Sequence, residues 1–228
     1  MENDPTLEVC CKGVTKVYGE GPTRVDALRG IDLTLKKGEL LMIVGPSGSG
    51  KTTLISIIAG ILEQEAGECT VLGRDLKEMS NGERTQFRGK EIGFVFQTFN
   101  LIPMLTITEN VAVPLLLNGE ELEPALKKAE ELLIKYGLED KLLRLPTELS
   151  GGQLQRVAIA RSCIHGPSLI VCDEPTSSLD HETGQNVMKL FRQEVLEKNR
   201  ALIIVTHDQR IFPFADRIIK LDDGQVVA

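Results

Sequence analysis

The chain contains the run Gly45-Pro46-Ser47-Gly48-Ser49-Gly50-Lys51-Thr52-Thr53, which directly follows the apolar segment Leu40–Val44 and precedes residues 54–61, a segment with helical spacing. The run fits the pattern G-x-x-x-x-G-K-[ST], in which glycines bring backbone N–H groups onto phosphate oxygens. A buried strand before the loop and a helix after it are the context that this chemistry requires. The sequence therefore predicts a phosphate-binding loop; a glycine-rich strand-to-helix turn without a ligand is the alternative.

The polar residues of this loop have predictable roles. Lys51 is expected to reach the β- and γ-phosphates of a nucleotide, and the Thr52 hydroxyl is expected to bind magnesium. The nucleotide-binding residues predicted here are Gly45, Pro46, Ser47, Gly48, Ser49, Gly50, Lys51, Thr52 and Thr53.

The composition is that of a globular protein that meets its ligand through local groups. The chain has 228 residues, 42% hydrophobic and 26% charged, and can bury a substantial core. A net charge of −7 argues against broad non-specific nucleic-acid binding, and we predict no nucleic-acid partner. Residues 1–5 lack the features of a secretory signal, and no apolar run is long enough to cross a bilayer. Any function within a membrane is therefore expected to require a partner chain.

The cysteines predict a reducing environment. They are odd in number and lack metal-ligand spacing, so we expect reduced thiols in a cytosolic setting. Two of them lie among apolar residues and are expected to fill the core. The five are Cys10, Cys11 and Cys69, and the expected core residues Cys163 and Cys172.

The hydrophobic pattern predicts an α/β fold. Alternating residues between positions 7 and 35 favour half-exposed antiparallel strands, whereas continuous apolar runs such as residues 168–172 and Ala201–Val205 favour buried parallel strands. A hairpin is expected around Asp222-Asp223-Gly224.

Helical spacing recurs in residues 108–117, 121–136 and 181–198, and residues 138–149 are expected to complete an all-helical insert. We predict one domain over residues 1–228, with a mostly parallel sheet, an N-terminal antiparallel β subdomain and a helical subdomain inserted at about residues 98–160.

Polar residues follow three of the predicted buried strands. Ligands of open α/β sheets bind outside the carboxyl ends of the strands. Asp173 suits a magnesium contact, and Glu174 suits a general base that acts on water. Gln97 and His207 end strands in the same way, and His207 suits a contact with the γ-phosphate, although such a residue in isolation more often has a structural role.

Two further features are open to a functional and a structural interpretation. Ser150, Gly151, Gly152 and Gln153 precede a run with helical period, where a capped helix start can receive an anion. Tyr18 can stack on an adenine ring, but a lone aromatic on a strand more often packs.

With these residues in place, the chain resembles the ATP-binding subunit of ATP-binding cassette (ABC) transporters over nearly its whole length. The matches in chain order are the Walker A motif at residues 45–52, the glutamine loop at Gln97, the signature motif at residues 149–153, Walker B with its catalytic glutamate at residues 169–174, the D-loop at residues 177–180 and the switch histidine at His207.

The resemblance implies an ABC ATPase fold built on a P-loop NTPase core, with ATP and Mg²⁺ as cofactors and hydrolysis of ATP to ADP and phosphate. It supports Tyr18 as the adenine-stacking residue and adds Asp180 to the nucleotide-binding residues. The implied catalytic residues are Glu174, His207, Lys51 and Gln97, and the implied metal ligands are Thr52, Gln97 and Asp173.

The resemblance also implies partners. Two copies of such a chain face each other head to tail, so that ATP lies between Walker A of one copy and residues 150–153 of the other. An ATP-dependent homodimer would act on a separate membrane permease that docks near residues 97–111, at the cytoplasmic face of the inner membrane.

The sequence is most similar to the lipoprotein-releasing and macrolide-exporting subgroup, on residues 97–103, 105–111 and 155–161. Leu154 and Ser178 depart from that pattern, where glutamine and alanine are common, and neither is a predicted catalytic residue.

Two other functions fit the motifs. The first is a soluble cassette ATPase; repair and translation versions need a coiled-coil insert or a second cassette, which this sequence lacks, whereas a cluster-assembly ATPase stays open. The second is a regulatory module that binds ATP without turnover, which Glu174 and His207 argue against.

Overall fold

The computed structural model of the protein describes residues 6–227, apart from the side chains of residues 195–198. The expectation for residues 1–5 lies outside this range. Across the described residues the chain forms, in order, β1 (Leu7–Tyr18), β2 (Val25–Lys36), β3 (Leu40–Val44), α1 (Lys51–Ile58), β4 (Ala66–Val71), β5 (Arg74–Asp75), α2 (Asn81–Glu91), β6 (Ile92–Val95), α3 (Ile107–Leu117), α4 (Leu122–Lys135), α5 (Gly151–Cys163), β7 (Leu169–Asp173), α6 (His181–Lys198), β8 (Ala201–Val205), β9 (Arg217–Asp222) and β10 (Gln225–Val227).

Two sheets carry the fold, and they confirm the predicted class. The N-terminal sheet is antiparallel, in the order β2-β1-β4-β5. The second sheet has the order β10-β9-β3-β8-β7-β6; its strands are parallel except for β10 at one edge. Strands β3 and β8 are buried along nearly their whole length, as continuous apolar runs predict. The carboxyl ends of β3, β8, β7 and β6 therefore meet at one edge.

The helix after the phosphate loop begins and ends earlier than the predicted residues 54–61. Helix α1 covers Lys51–Ile58, so Lys51, Thr52 and Thr53 form its first turn. It ends before Gly60, whose backbone is left-handed (φ +66°) and cannot continue a right-handed helix.

The predicted all-helical insert is wrong over residues 138–149. Helices α3, α4 and α5 are present, but the segment between α4 and α5 is a series of turns with one 3₁₀ turn at Pro146–Glu148. Its backbone is tied to the start of α3 instead: the Ile107 N–H donates to the Arg144 carbonyl at 2.9 Å, and the Thr108 hydroxyl donates to the Leu142 carbonyl at 2.8 Å. Those long-range bonds replace helical ones.

The cysteines are not joined by disulfides, and both predicted core cysteines are buried. Cys163 is 3% exposed and Cys172 is fully buried. Burial raises the pKa of Cys172 well above its usual range, which suits an apolar filler.

The loops after β7 and β8 are held together by one buried carboxylate. Asp208 accepts the Thr176 hydroxyl at 2.8 Å and the Arg210 guanidinium at 2.7 and 2.8 Å. The same guanidinium reaches the Leu179 carbonyl at 3.3 Å. The bonds from Arg210 lower the pKa of Asp208 from its usual 3.8 to about 2, against the opposing effect of burial.

Helix α5 crosses β6 at a point where no side chain fits. A Cβ on Gly93 would lie 2.1 Å from the Ser162 carbonyl oxygen. We expect Gly93→Ala to lower the free energy of unfolding by about 1–3 kcal/mol, because strand and helix must move apart. Urea denaturation measures the change. Gly82→Ala, at a helical position with open space around the added Cβ, is the control and should be neutral or slightly stabilising; equal losses in both variants would contradict the packing argument.

The Asp208 carboxylate should stabilise the fold in a defined pH window. Because its folded pKa of about 2 lies below the usual 3.8, the stabilisation is complete above about pH 4 and is lost as the pH falls towards 2. Asp208→Asn should therefore cost about 1–2 kcal/mol at pH 7, and the difference from the wild type should shrink below pH 4. Urea unfolding across pH checks this. Asp140→Asn, which removes an exposed carboxylate paired with Lys141, should change little.

Candidate nucleotide-binding site

A cavity of about 590 Å³ opens at the carboxyl edge of the parallel sheet. It brings together nearly all of the predicted phosphate loop and all four polar residues predicted at the strand ends. The predicted residues that line it are Gly45, Pro46, Ser47, Gly48, Gly50, Lys51, Thr52, Thr53, Gln97, Asp173, Glu174 and His207. Ser49 is buried behind the loop, 3% exposed. Tyr18, Asp180 and residues 150–153 do not line the cavity.

Backbone carbonyls of neighbouring strands lie directly against two glycines of the phosphate loop. Gly45 has φ +153°, and a Cβ there would lie 1.9 Å from the Leu221 carbonyl oxygen. Gly50 has φ +97°, and its Cβ would lie 2.4 Å from the Ala27 carbonyl oxygen. Only glycine tolerates both the left-handed conformation and the contact. The loop therefore owes its shape to β9 and β2 as well as to its own sequence.

Lys51 is held inside the loop. It is 8% exposed, and its ammonium donates to the Gly45 carbonyl at 2.9 Å and to the Pro46 carbonyl at 2.7 Å. Together with the N-terminus of α1, this places a positive charge and free N–H groups on one side of the cavity, a combination that suits phosphate.

Thr52 and Asp173 face each other across the floor of the cavity. The Thr52 hydroxyl donates to the Asp173 carboxylate at 3.0 Å. Burial raises the pKa of Asp173 above its usual range; the Thr52 bond opposes the rise, and the Glu174 carboxylate adds to it. A hydroxyl beside a carboxylate short of counter-charge is a donor set that fits a hard divalent cation, and Mg²⁺ takes its remaining ligands from phosphates and water.

Glu174 is held in a strained backbone conformation. Its φ is +50°, which costs a non-glycine residue about 1–3 kcal/mol. Its N–H donates to the Val205 carbonyl at 2.9 Å, and its carboxylate accepts the Thr206 hydroxyl at 3.2 Å. His207 Nδ1 lies 2.7 Å from the other carboxylate oxygen. The side chain predicted to contact a phosphate thus also fixes the predicted base at the cavity.

One wall of the cavity, formed by β2 and the final hairpin, is not predicted from the sequence. Arg29 pairs with Asp223 at 2.7 Å, and its N–H donates to the Gly224 carbonyl at 2.8 Å. The Gly224 N–H in turn donates to the Ser49 carbonyl at 3.2 Å. The turn at Asp223-Gly224 is predictable from the sequence, but no local signal shows that it packs on a loop 175 residues earlier.

The predicted signature residues form a capped helix start outside the cavity. The Ser150 hydroxyl accepts the Gln153 N–H at 3.4 Å, and the Ser150 N–H donates to the Gln153 side chain at 2.9 Å. A Cβ on Gly152 would lie 2.4 Å from the Thr183 methyl, so this glycine has a packing role against α6 that the sequence does not reveal. Gly151 has more room, with Leu179 at 3.8 Å.

Asp180 and Tyr18 lie outside the cavity as well. The Asp180 carboxylate accepts the Thr183 N–H at 3.0 Å and the Thr183 hydroxyl at 2.6 Å, so it caps the start of α6. Tyr18 ends β1 opposite Val25, which lines the cavity, and its side chain is 42% exposed. Tyr18 is therefore near the rim and accessible.

Within residues 6–227, no helix combines the length and the apolar character that a membrane-spanning segment needs.

Comparison with known proteins gives one consistent family. The profile of the family described as "ABC transporter" matches residues 28–177, well over half of the chain. An uncharacterised ABC transporter ATP-binding protein of Methanocaldococcus jannaschii is 44% identical over 95% of this chain and 96% of its own length. The lipoprotein-releasing system ATP-binding protein LolD of Chromohalobacter salexigens is 41% identical over 95% of this chain and 91% of its own length.

Among solved structures, the ATP-binding cassette MJ0796, a dimer in a post-hydrolysis state bound to ADP and Pi, superposes with a TM-score of 0.90 and 41% identity. The match covers 96% of this chain and 97% of that one. These findings confirm the resemblance and the fold expected from the motifs. The chain belongs to the ABC transporter family, as an ATP-binding cassette that hydrolyses ATP.

Proposed function

We propose that this chain powers a membrane transporter or mechanotransmission complex, as one of two identical cassettes that close on ATP and reopen after hydrolysis. The proposal rests on the observation that one chain does not bring all of the predicted nucleotide-binding residues together. One cavity holds the phosphate loop, Asp173, Glu174 and His207, whereas the capped helix start at residues 150–153 lies outside it. A second copy is the natural source of the missing wall.

Hydrolysis follows from the groups in the cavity. Lys51 and the N–H groups of the loop bind the phosphates. Thr52, Asp173 and Gln97 would hold Mg²⁺, which when bound neutralises charge on the phosphate oxygens. Glu174 accepts a proton from the attacking water, whose oxygen forms the new bond to the γ-phosphorus while the bond to ADP breaks. His207 and Thr206 orient the Glu174 carboxylate for that transfer.

The second copy would contribute the signature residues. The N–H groups of Gly151 and Gly152 lie at a helix start, where intrahelical partners are lacking. Those groups would meet the γ-phosphate bound to the opposite copy, Asp180 would lie at the junction, and Tyr18 would stack on the adenine at the rim. The MJ0796 cassette, a dimer bound to ADP and Pi, supports a nucleotide-bound dimer.

Glu174→Gln tests the proposed base. The amide cannot accept the proton, so turnover should fall by roughly 10²–10⁴-fold. A phosphate-release assay measures it, with Glu182→Gln, an exposed change on α6, as the control that keeps wild-type turnover. Because ATP should still bind, the Glu174→Gln protein should sediment as a dimer in saturating Mg-ATP. Wild-type turnover would remove Glu174 from its role, and a persistent monomer would refute the shared site.

The membrane partner is proposed to dock in a second cavity, of about 910 Å³, which Asn100 of the residue 97–111 segment lines together with Arg161 and Ser162 of α5. It is lined mainly by α2, the end of α3 and β6, so the docking surface would extend beyond the predicted residues 97–111. Its lining includes the apolar side chains of Ile61, Phe94, Phe96, Pro114 and Leu117 and the basic ones of Arg88 and Lys90.

An amphipathic helix from a permease would fit this lining, because the apolar side chains and the cations of Arg88 and Lys90 match an apolar face bordered by acidic residues. Among the apolar side chains that line the cavity, Leu117 is the most exposed, at 82%, and a docked helix would cover it. Docking there would hold the cassette peripherally at the cytoplasmic face of the inner membrane. The similarity to LolD, a lipoprotein-releasing ATP-binding protein, supports a partner of this kind.

Leu117→Glu tests the docking cavity. A charge at this exposed apolar position should reduce co-sedimentation of the cassette with native membranes by about tenfold. Leu143→Glu, at 83% exposed but outside the cavity, is the matched control and should still bind. Thermal unfolding shows that both variants are folded. Equal binding by both variants would exclude this surface, and recovery of the wild type in the cytosol alone would favour a soluble cassette ATPase.

A further inference from the structure

Arg161, in the last turn of α5, bonds to the turn that follows Gln97. Its guanidinium donates to the Asn100 carbonyl at 2.6 Å and to the Phe99 carbonyl at 2.7 Å. Burial lowers the pKa of Arg161, which means that the cation has lost water and depends on these acceptors.

The turn itself is strained. Phe99 has φ +60° and Asn100 has φ +47°, two successive left-handed residues without a glycine. Internal bonds hold part of the turn: the Phe99 N–H donates to the Phe96 carbonyl at 3.1 Å, and the Asn100 N–H donates to the Thr98 carbonyl at 2.6 Å. The Phe99 and Asn100 carbonyls accept their hydrogen bonds from the Arg161 guanidinium. A planar guanidinium can serve two adjacent acceptors at once, which a lysine ammonium does less well.

The position of Arg161 joins three functional regions. Gln97 lies two residues before Phe99 and lines the nucleotide cavity. Ser150 lies at the opposite end of the helix that carries Arg161. Arg161 and Asn100 both line the proposed docking cavity. Helix α5 therefore connects the signature residues at its start to the Gln97 turn through the Arg161 side chain near its end.

We propose that Arg161 is a positioning residue that locks the Gln97 turn to α5, so that Gln97 and the signature residues move as one body. A partner bound in the docking cavity would displace Arg161 and the turn together, and so would move Gln97 and the signature residues at the same time. The inference rests on the proposed role of Gln97 in hydrolysis.

Arg161→Gln should lower kcat for ATP by about tenfold to hundredfold, because Gln97 loses its fixed position. KM for Mg-ATP should change by less than about twofold, because the phosphate loop is untouched. Arg161→Lys should recover part of the loss. The matched control is Arg156→Gln: Arg156 lies on the same helix and donates to the Tyr136 carbonyl at 3.2 Å, away from the turn. Its kcat should stay within about twofold of the wild type.

A double-mutant cycle with Gln97→Ala separates positioning from general damage. If Arg161 acts through Gln97, Arg161→Gln should lower kcat by less than about twofold once Gln97 is alanine. Losses that multiply in the double mutant, or an Arg156→Gln loss as large as that of Arg161→Gln, would overturn the proposal. Should Arg161→Gln fail to fold, Arg161→Lys enters the same cycle.

The cycle also separates this inference from the proposed function. Normal turnover in Gln97→Ala would overturn the inference, because Gln97 would then have no role in hydrolysis for Arg161 to support. The Glu174→Gln result would still decide the proposed hydrolysis on its own.

Discussion

The contact between backbone carbonyls and the glycines of the phosphate loop is the constraint on which the rest of the site depends. The Leu221 and Ala27 carbonyls lie where Cβ atoms of Gly45 and Gly50 would be. Those carbonyls come from the last sheet strands and from the N-terminal antiparallel sheet, so segments far apart in the sequence must be in place before the loop has its shape. Nucleotide binding is thereby coupled to the completion of the whole fold.

The site has a second requirement, which is that functional residues from separate strands meet in one place, and the parallel sheet meets it. Strands β3, β6, β7 and β8 end at one edge. The residues at or after these strand ends bring five polar side chains into one cavity, namely Lys51, Gln97, Asp173, Glu174 and His207. Burial raises the pKa of Asp173 above its usual range, and the neighbouring Glu174 carboxylate adds to the rise. The buried hydrogen bond from the Thr176 hydroxyl to the Asp208 carboxylate ties together the loops beyond β7 and β8 and so keeps these groups in place.

Local signals predicted much of this from the sequence, and long-range packing accounts for the rest. Strand β8 has the bounds that its apolar run predicts, and the final hairpin turns at the predicted Asp222-Asp223-Gly224, because apolar runs and turn residues act over a few positions. Helix α2 was missed although the Ser80 capping box with Glu83 marks its start, because its exposed surface is mostly polar. The non-helical course of residues 138–149 and the approach of Gly152 to Thr183 depend on partners distant in sequence. No local pattern encodes such partners.

The bonds that Lys51 makes to the Gly45 and Pro46 carbonyls have a thermodynamic consequence. A free lysine side chain carries about 2 kcal/mol of rotamer entropy, which an anion would otherwise have to offset when it binds. Here that ordering has already taken place on folding. An arriving phosphate exchanges one set of acceptors for another around a side chain that is already in position, so the loop meets its ligand as a preorganised receptor.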